Sequence, residues 1–380
     1  MDFSMTKEHE FVRKMVRDFS ENEVKPIAAD IDKEHRFPEE TIPKMARYGL
    51  LGIPFPREYE GAGGDNLAYT ITVEELSRVC ATTGVICSAH TSLCAWPIYA
   101  YGTEDQKKKY LPDLLSGRVL GGFGLTEPNA GSDAAGQQTR AVDMGDHWLI
   151  NGSKIFITNG GVANTFVVMA MTDKAKKTRG ISAFIVERGF EGFSNGKIED
   201  KMGICGSSTA ELVFQNMIVP KENILGRPGD GFKVAMSTLD GGRIGIGAQA
   251  LGIAQGALDV TVEYMKARKQ FGKRLADMDP LRFDVAEMST EIEAARLLLY
   301  KAAYLKDRGQ PYGQWAAMGK YYASEVAMRT TTKCVQLHGG YGYTRDYPVE
   351  RMMRDAKITE LYEGTTEVQK MVIAAAVIGK

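Results

Sequence analysis

In His147-Trp148-Leu149-Ile150-Asn151-Gly152-Ser153-Lys154-Ile155-Phe156-Ile157, two strand-like runs flank an Asn-Gly pair. They lie in the middle of a chain whose two ends have helical periodicity. An Asn-Gly pair between two such runs is the strongest short-range signal of a β-hairpin, so we expect two strands joined there. The runs 165–171, 180–187 and 211–219 are also rich in β-formers and are bounded by turn residues. This segment is therefore predicted to be a small antiparallel β domain.

Helical patterns dominate on both sides of this segment. Apolar residues from Phe11 to Phe19 recur on one helix face, and Thr103 with Gln106 forms a capping-box pattern. After residue 230 the sequence predicts long helices over 232–239, 247–268, 281–307, 312–337 and 349–378. The predicted fold class is mainly α with an inserted β domain: a helical N-terminal domain (1–117), a middle antiparallel β domain (118–230) and a C-terminal helical bundle (231–380).

Composition narrows the possible classes of function. The 380 residues carry 47 basic and 48 acidic side chains, a net charge of −1, so no large basic field exists for nucleic acid or an anionic membrane. No apolar run is long enough to span a bilayer. The N-terminal residues lack a secretory or transit pattern, which predicts a cytoplasmic protein. The cysteines lack C-x-x-C spacing and the histidines lack H-x-x-x-H pairs, so we expect neither disulfides nor a metal site.

One carboxylate near the C-terminus has the surroundings of a general base. Glu363 follows Leu361 and Tyr362, whose apolar surfaces would partly desolvate it and raise its pKa. Gly364 has no Cβ, so a substrate could approach the backbone closely there. The same residues also fit a plain helix end with glycine in a left-handed turn. Taken alone, they leave both interpretations open.

Two glycine-rich segments need separate interpretation. Gly245-x-Gly247-x-x-Ala250 matches the dinucleotide fingerprint, but no strand precedes it and its neighbours are small residues suited to close helix packing, so we do not expect a Rossmann site. The segment 121–133 combines glycines with the hydroxyls of Thr126 and Ser132, which could meet a ligand. It fits a polar turn into the sheet equally well.

Five segments, spread in order over most of the chain, carry a family resemblance. They are Gly124-Leu125-Thr126-Glu127-Pro128-Asn129-Ala130-Gly131-Ser132-Asp133; Lys154-Ile155-Phe156-Ile157-Thr158-Asn159-Gly160-Gly161; Arg268-Lys269-Gln270-Phe271-Gly272-Lys273; Gln336-Leu337-His338-Gly339-Gly340-Tyr341-Gly342-Tyr343 with its continuation to Ala356; and Tyr362-Glu363-Gly364-Thr365-Thr366-Glu367. These segments resemble the signature blocks of the acyl-CoA dehydrogenases. Two further stretches, 88–98 and 239–245, resemble the short-chain (butyryl-CoA) branch.

The resemblance implies an FAD cofactor and removal of the α and β hydrogens of an acyl-CoA thioester to give the trans-2-enoyl-CoA. In the family, the residue matching Glu363 takes the α proton while the β hydrogen leaves as hydride to the flavin N5. The α C–H is a very weak acid, so the thioester oxygen must be held by hydrogen bonds as enolate character develops. The resemblance assigns these donors to the backbone N–H of Glu363 and a flavin ribityl hydroxyl.

The resemblance also implies a set of binding residues. Those expected against the flavin ring are Phe123, Leu125, Thr126, Ser132, Phe156 and Thr158. Those expected to hold the ADP half of FAD from a neighbouring subunit are Arg268, Gln270, Phe271, Gln336, Gly339, Gly340, Thr365 and Glu367. Those expected to contact the acyl-CoA are Ser132, Phe232, Asp240, Arg243, Tyr362 and Gly364.

Three positions bear on how closely the family pattern applies. Phe156 stands where the family often has Trp, and Asp279 stands where it often has Gln near the adenine. Some members place the base near position 242, where this chain has Gly242. That supports Glu363 as the sole base.

The resemblance further implies partners and alternatives. It implies a homo-oligomer, usually a dimer of dimers, that passes electrons to an electron-transfer flavoprotein. One alternative hypothesis is a medium- or branched-chain acyl-CoA dehydrogenase. Two others are an acyl-CoA oxidase, whose chains are generally longer, and a nucleic-acid-binding relative, which would need a basic domain.

Overall fold

The computed structural model describes residues 5–379 and places a β sheet between two helical parts. The N-terminal helices are α1 (Lys7–Phe19), α2 (Ala28–Glu34), α3 (Ile42–Arg47), α4 (Asn66–Ser77), α5 (Ala81–Ser88), α6 (Trp96–Tyr101) and α7 (Glu104–Leu115). The strands are β1 (Gly121–Gly124), β2 (Arg140–Asp143), β3 (His147–Ile157), β4 (Thr165–Met171), β5 (Ile181–Glu187), β6 (Phe193–Ile198), β7 (Ala210–Pro220) and β8 (Ile224–Leu225). Then follow α8 (Gly231–Ala267), the short β9 (Lys269–Gln270) and β10 (Lys273–Arg274), α9 (Asp279–Asp307), α10 (Gly313–His338), α11 (Val349–Ile358) and α12 (Thr366–Ile378).

The sheet has the strand order β6-β7-β3-β2-β4-β5-β8, with β1 also paired to β4. Its pairs are antiparallel, except that β1 and the end of β2 run parallel to β4. Because side chains alternate along a strand, β4 directs Phe166 and Val168 into a core shared with α1 and α4. It directs Val167 and Met169 into a second core shared with α7 and the start of α8. Both faces of the sheet are therefore buried, one against α1 and α4 and the other against α7 and the start of α8.

The predicted hairpin at Asn151-Gly152 is wrong, because β3 runs straight through it and pairs with β7. The register slips by one residue between Ile150 and Gly152, so β7 carries an extra residue opposite Asn151, which is a β-bulge. The Asn151 side-chain oxygen accepts a hydrogen bond from the backbone N–H of Asn216 at 2.8 Å. Gly152 has a φ of +140° and approaches Thr139 closely. The Asn-Gly pair thus lies at a β-bulge within the sheet and does not form a turn.

The predicted helices of the C-terminal part need two corrections. The segments 232–239 and 247–268 form one helix, α8, because the glycines between them stay helical. The segment 349–378 is instead broken into α11 and α12 around residues 359–365. The helices predicted over 281–307 and 312–337 are confirmed as α9 and α10. The capping box of Thr103 and Gln106 at the start of α7 is also confirmed.

Other sequence expectations have plain structural outcomes. Gly245 and Gly247 lie inside α8, which confirms that they do not form a phosphate-binding turn. All five cysteines are buried free thiols. Residues 5–379 contain no cluster of side chains suited to a metal ion. No helix in that part of the chain is long and apolar enough to cross a membrane.

Glycine lets α8 pack closely against α4. A Cβ on Gly252 would lie 2.2 Å from the backbone oxygen of Glu74 and 2.8 Å from the Cβ of Ser77. These atoms belong to the body of α4, so the two helices would have to separate to admit a methyl group.

We predict that Gly252→Ala lowers the free energy of unfolding by about 1–3 kcal/mol, because overpacking outweighs the better helix propensity of alanine. Denaturant unfolding of the variant and of Gly189→Ala measures the difference. The Cβ of Gly189 would meet no atom within 4 Å, so that control should unfold with the parent. Equal stability of both variants would contradict the close packing of α4 and α8.

Candidate active site

The break between α11 and α12 presents Glu363 on a left-handed turn. Glu363 has a φ of +51° and Gly364 a φ of +91°, values that end a right-handed helix. Positive φ is uncommon for residues other than glycine and persists when the surroundings enforce it. The backbone N–H of Thr366 closes the turn on the Glu360 oxygen at 2.9 Å. The left-handed turn of the helix-end interpretation is present, but α11 itself ends earlier, at Ile358, and the turn leaves the role of the carboxylate open.

Two buried side chains donate hydrogen bonds to the carbonyl groups of this turn. Lys320 of α10 donates from its Nζ to the Gly364 oxygen at 2.7 Å. Gln369 of α12 donates from its Nε2 to the oxygens of Glu363, at 3.0 Å, and of Gly364, at 2.8 Å. Lys320 and Gln369 are both fully buried. The carbonyl side of the turn is therefore satisfied by the protein interior.

The carboxylate of Glu363 faces inward and lacks a partner. The residue as a whole is partly exposed, but its Oε2 atom is enclosed and makes no hydrogen bond to any described residue. Burial raises the pKa of Glu363 to about 7, the direction expected from the sequence, and the positive charge of Lys320 acts against this rise. The backbone N–H of Glu363 likewise makes no hydrogen bond within residues 5–379. Glu363 thus has both an unpaired acceptor, its Oε2, and an unpaired donor, its backbone N–H.

Gly242 of α8 lies directly opposite this carboxylate. A Cβ there would come within 3.4 Å of the Glu363 Cγ and 2.8 Å of the Leu93 Cδ2. Positions 242 and 363 therefore border the same space, and only the second supplies a carboxylate. Tyr362 also turns inward and donates from its hydroxyl to the side chain of Gln249 on α8.

One face of α8 carries the residues expected to contact the CoA moiety. Arg243 is nearly buried and donates to the Asp240 carboxylate, while its Nε has no partner among the described residues. Burial raises the pKa of Asp240, and burial lowers the pKa of the nearby Lys306 to about 8. Phe232, half-buried, lies in the first turn of the same helix. Charged groups held out of water in this way are suited to a polar or anionic ligand.

The residues expected against a flavin ring lie around the ends of β1 and β3. Phe123 and Leu125 are buried, and Thr126 and Thr158 are half-buried. The Thr126 oxygen accepts a hydrogen bond from the Ile155 N–H at 2.9 Å, which ties the two segments together. The remaining two, Phe156 and Ser132, are exposed. Phe156 is 59% exposed with a φ of +58°, so its ring is presented outward.

A buried ion pair fixes the loop after β1 to β3. Lys154 is fully buried, and its Nζ donates to Glu127 at 2.6 Å, to the Leu125 oxygen at 3.1 Å and to the Gln137 side chain at 3.1 Å. Glu127 also accepts the Thr139 N–H at 3.0 Å. Because every charge here is paired and hydrogen-bonded, the pair can persist without water. It holds the loop that carries Thr126 and Ser132.

An open cleft of about 640 Å³ lies where α8, α10 and the β9–β10 ribbon meet. Among the predicted residues, it is lined by Arg268, Gln270, Gln336, Gly339 and Gly340. The Arg268 guanidinium lies 5.5 Å from the ring centre of Tyr341 at its wall. The structure therefore brings these five residues together.

Three other residues near the predicted adenosine side do not line this cleft. Phe271 stands at the tip of the ribbon, 94% exposed. Thr365 caps the N-terminus of α12, and Glu367 lies exposed in its first turn. Asp279, which we left out of the predicted site, is exposed and pairs with Arg282 at 2.9 Å.

Sequence reasoning missed the residues that support the turn. Lys320, Gln369 and Gln249 belong to no recognised motif, and helical periodicity alone does not distinguish a buried lysine from a surface one. Tyr69 of α4 was also missed; burial raises its pKa, and the nearby charge of Glu363 adds to the rise.

Comparison with known proteins identifies the family. The models of the acyl-CoA dehydrogenase N-terminal, middle and C-terminal domains match residues 6–118, 122–217 and 229–378. The chain is 64% identical, over 99% of its length and all of the relative, to the short-chain specific acyl-CoA dehydrogenase of Clostridium acetobutylicum.

Two solved structures match the whole chain. Butyryl-CoA dehydrogenase from Megasphaera elsdenii is 52% identical, with a TM-score of 0.98 and full coverage of both chains. A chain from the structural work on the electron transferring flavoprotein of Acidaminococcus fermentans and flavin-based electron bifurcation is 54% identical, with a TM-score of 0.99 and full coverage of both. The protein therefore belongs to the acyl-CoA dehydrogenase family.

Proposed function

We propose that this protein catalyses the FAD-dependent α,β-dehydrogenation of a short-chain, butyryl-like acyl-CoA to the trans-2-enoyl-CoA, with Glu363 as the base. The observation that carries the proposal is the enclosed, unpartnered Oε2 of Glu363 on a turn that the interior holds in place. A pKa of about 7 leaves a large ionised fraction near neutral pH while keeping the carboxylate basic. Family membership and the short-chain relatives support the choice of substrate.

The residues present fit an FAD. Phe156 is exposed at positive φ and offers an aromatic surface for a ring system. Gly339 and Gly340 leave space at the cleft wall, because a Cβ added at either would meet no atom within 4 Å. Arg268 supplies a planar cation, which suits a pyrophosphate. We assign the ring to the Phe123, Leu125, Thr126, Ser132, Phe156 and Thr158 group, and the ADP half to the cleft with Phe271, Thr365 and Glu367. When bound, FAD accepts the hydride that leaves the β carbon.

The turn itself supplies both groups that α-proton removal requires. The Glu363 carboxylate takes the α proton, and its own unpaired backbone N–H donates to the thioester oxygen as negative charge builds there. A Cβ at Gly364 would meet the Gln369 Nε2 at 2.6 Å, so the turn needs glycine where Gln369 holds it. We assign Gly364, by its position next to Glu363, to the thioester contact. Tyr362 and Ser132 complete the surroundings of the acyl group, and Phe232, Asp240 and Arg243 contact the CoA.

Exposed apolar surface supports assembly into a homo-oligomer. The α12 residues Met371, Val377 and Ile378 are each about two-thirds exposed, and so is Phe283 on α9. Phe271 is almost wholly exposed beside the cleft. We propose that a second subunit covers these surfaces and completes the ADP site, within a dimer of dimers. An electron-transfer flavoprotein is the proposed electron acceptor, in line with the relative from the Acidaminococcus work.

We predict that anaerobic addition of butyryl-CoA bleaches the flavin absorbance of the purified protein. The rate should fall along the series from butyryl- to hexanoyl- to octanoyl-CoA, because a short-chain pocket excludes longer acyl groups. Stopped-flow absorbance measures each rate. A faster reaction with octanoyl-CoA or a branched acyl-CoA would contradict the short-chain assignment, and failure to bleach with every member would contradict the proposed reaction.

We predict that Glu363→Gln keeps its FAD and its affinity for butyryl-CoA but reduces the flavin at least about 100-fold more slowly, because general-base catalysis typically contributes that much or more. The amide has nearly the same shape and no basic oxygen. Glu360→Gln, on the same turn, is the matched control and should react at the parental rate. Parental reduction by Glu363→Gln would show that another group is the base.

A further inference from the structure

Lys320 is a buried cation whose ammonium contacts the backbone of the Glu363 turn. It projects from α10, is fully buried, and its Nζ lies 2.7 Å from the Gly364 oxygen. No carboxylate lies within 4 Å of that Nζ in residues 5–379, so the ammonium has no salt-bridge partner there. Burying a lysine without a direct carboxylate is costly and calls for a physical reason.

The charges around this ammonium identify Glu363 as its principal counter-charge. Burial lowers the pKa of Lys320 to about 8, and the charge of Glu363 is the largest effect that opposes this. Glu360 and Glu367, from the two ends of the turn, act in the same direction and Arg243 of α8 against it. On the other side of Glu363, Tyr69 of α4 and Tyr362 are neutral near pH 7, because burial raises both of their pKa values.

A carboxylate that acts as a base in an apolar site must be basic and must also be ionised at the working pH. Burial makes Glu363 more basic, but burial alone would leave it protonated and inactive at neutral pH. A fixed positive charge nearby lowers the pKa and keeps a fraction ionised. The carbonyl contact places that charge beside the turn without pairing it to the carboxylate, so Oε2 stays available.

We infer that Lys320 is a positioning residue for the dehydrogenation, which holds the Gly364 carbonyl and keeps Glu363 ionised near neutral pH. This inference rests on the proposed role of Glu363 as the base. A residue with a purely structural role would change stability or rate without moving the pH at which Glu363 titrates.

The test compares Lys320→Met, Lys320→Arg and Lys370→Met in the FAD-loaded protein. Infrared difference spectra between pH steps follow the Glu363 carboxylate, which Glu363→Gln identifies by loss of its band. The pH profile of flavin bleaching by butyryl-CoA is recorded in parallel. Lys370 lies exposed on α12, so its removal changes net charge equally without a buried contact.

Lys320→Met should raise the titration midpoint of Glu363 by about one pH unit, because a nearby opposite charge shifts a carboxyl pKa by about 1–3 units. The bleaching profile should move upward by the same amount, and the rate at pH 7 should fall more than the rate at pH 9. Lys320→Arg and Lys370→Met should keep the parental midpoint. If Lys320→Met does not retain FAD, Lys320→Gln, which keeps a neutral donor, takes its place with the same expected shift.

An unchanged infrared midpoint in the charge-removing variants would overturn the inference, even if their rates fell. If the parent protein fails to bleach at any pH, the proposed function fails instead. The infrared midpoints still decide the role of Lys320 in that case, because they need no substrate.

Discussion

The structure depends on keeping a partly desolvated carboxylate on a left-handed turn between two helices. Gly364 adopts its positive φ without strain, but Glu363 at positive φ would not persist there unless the surroundings enforced it. The enforcement comes from buried donors, Lys320 and Gln369, which bond the carbonyl side of the turn. The carbonyl groups of the turn are therefore bonded, whereas the N–H of Glu363 and its enclosed Oε2, on the side chain that faces Gly242, make no hydrogen bond among residues 5–379.

The sheet supports the other end of the proposed site. Its middle strands are buried on both faces, which gives a rigid support for the loop after β1. The Lys154–Glu127 pair fastens that loop to β3 with charges that are fully hydrogen-bonded, the condition under which a buried ion pair is tolerated. Glycine contacts such as Gly252 against Glu74 hold α8 against α4, and α8 carries Gly242, Asp240 and Arg243. The helical and β parts therefore each position one portion of the proposed site.

Much of the fold could be predicted from periodicity, and the failures have local causes. The order of helix, sheet and helix is confirmed, because buried strands and amphipathic helices differ in their repeat. The Asn151-Gly152 hairpin is wrong because the same residues also suit a bulge, and only the cross-strand partner Asn216 decides between them. The helix predicted over 349–378 missed the break, although Glu363-Gly364 also fitted a left-handed turn, because the Lys320 bond that supports the turn comes from a residue distant in sequence. Glu363 itself was found through its motif, whereas Lys320 was missed because long-range burial of a lysine leaves no local signal.

The central claim is that Glu363 is aimed at the α carbon of a bound acyl thioester. A crystal structure of the FAD-loaded protein with an unreactive analogue of butyryl-CoA tests this directly. The account predicts the α carbon within about 3–3.5 Å of the Glu363 Oε2, the separation of a near-attack arrangement, and the thioester oxygen facing the Glu363 N–H. A complex with the Glu363 carboxylate turned away from the acyl group, or with another basic side chain at the α carbon, would contradict it.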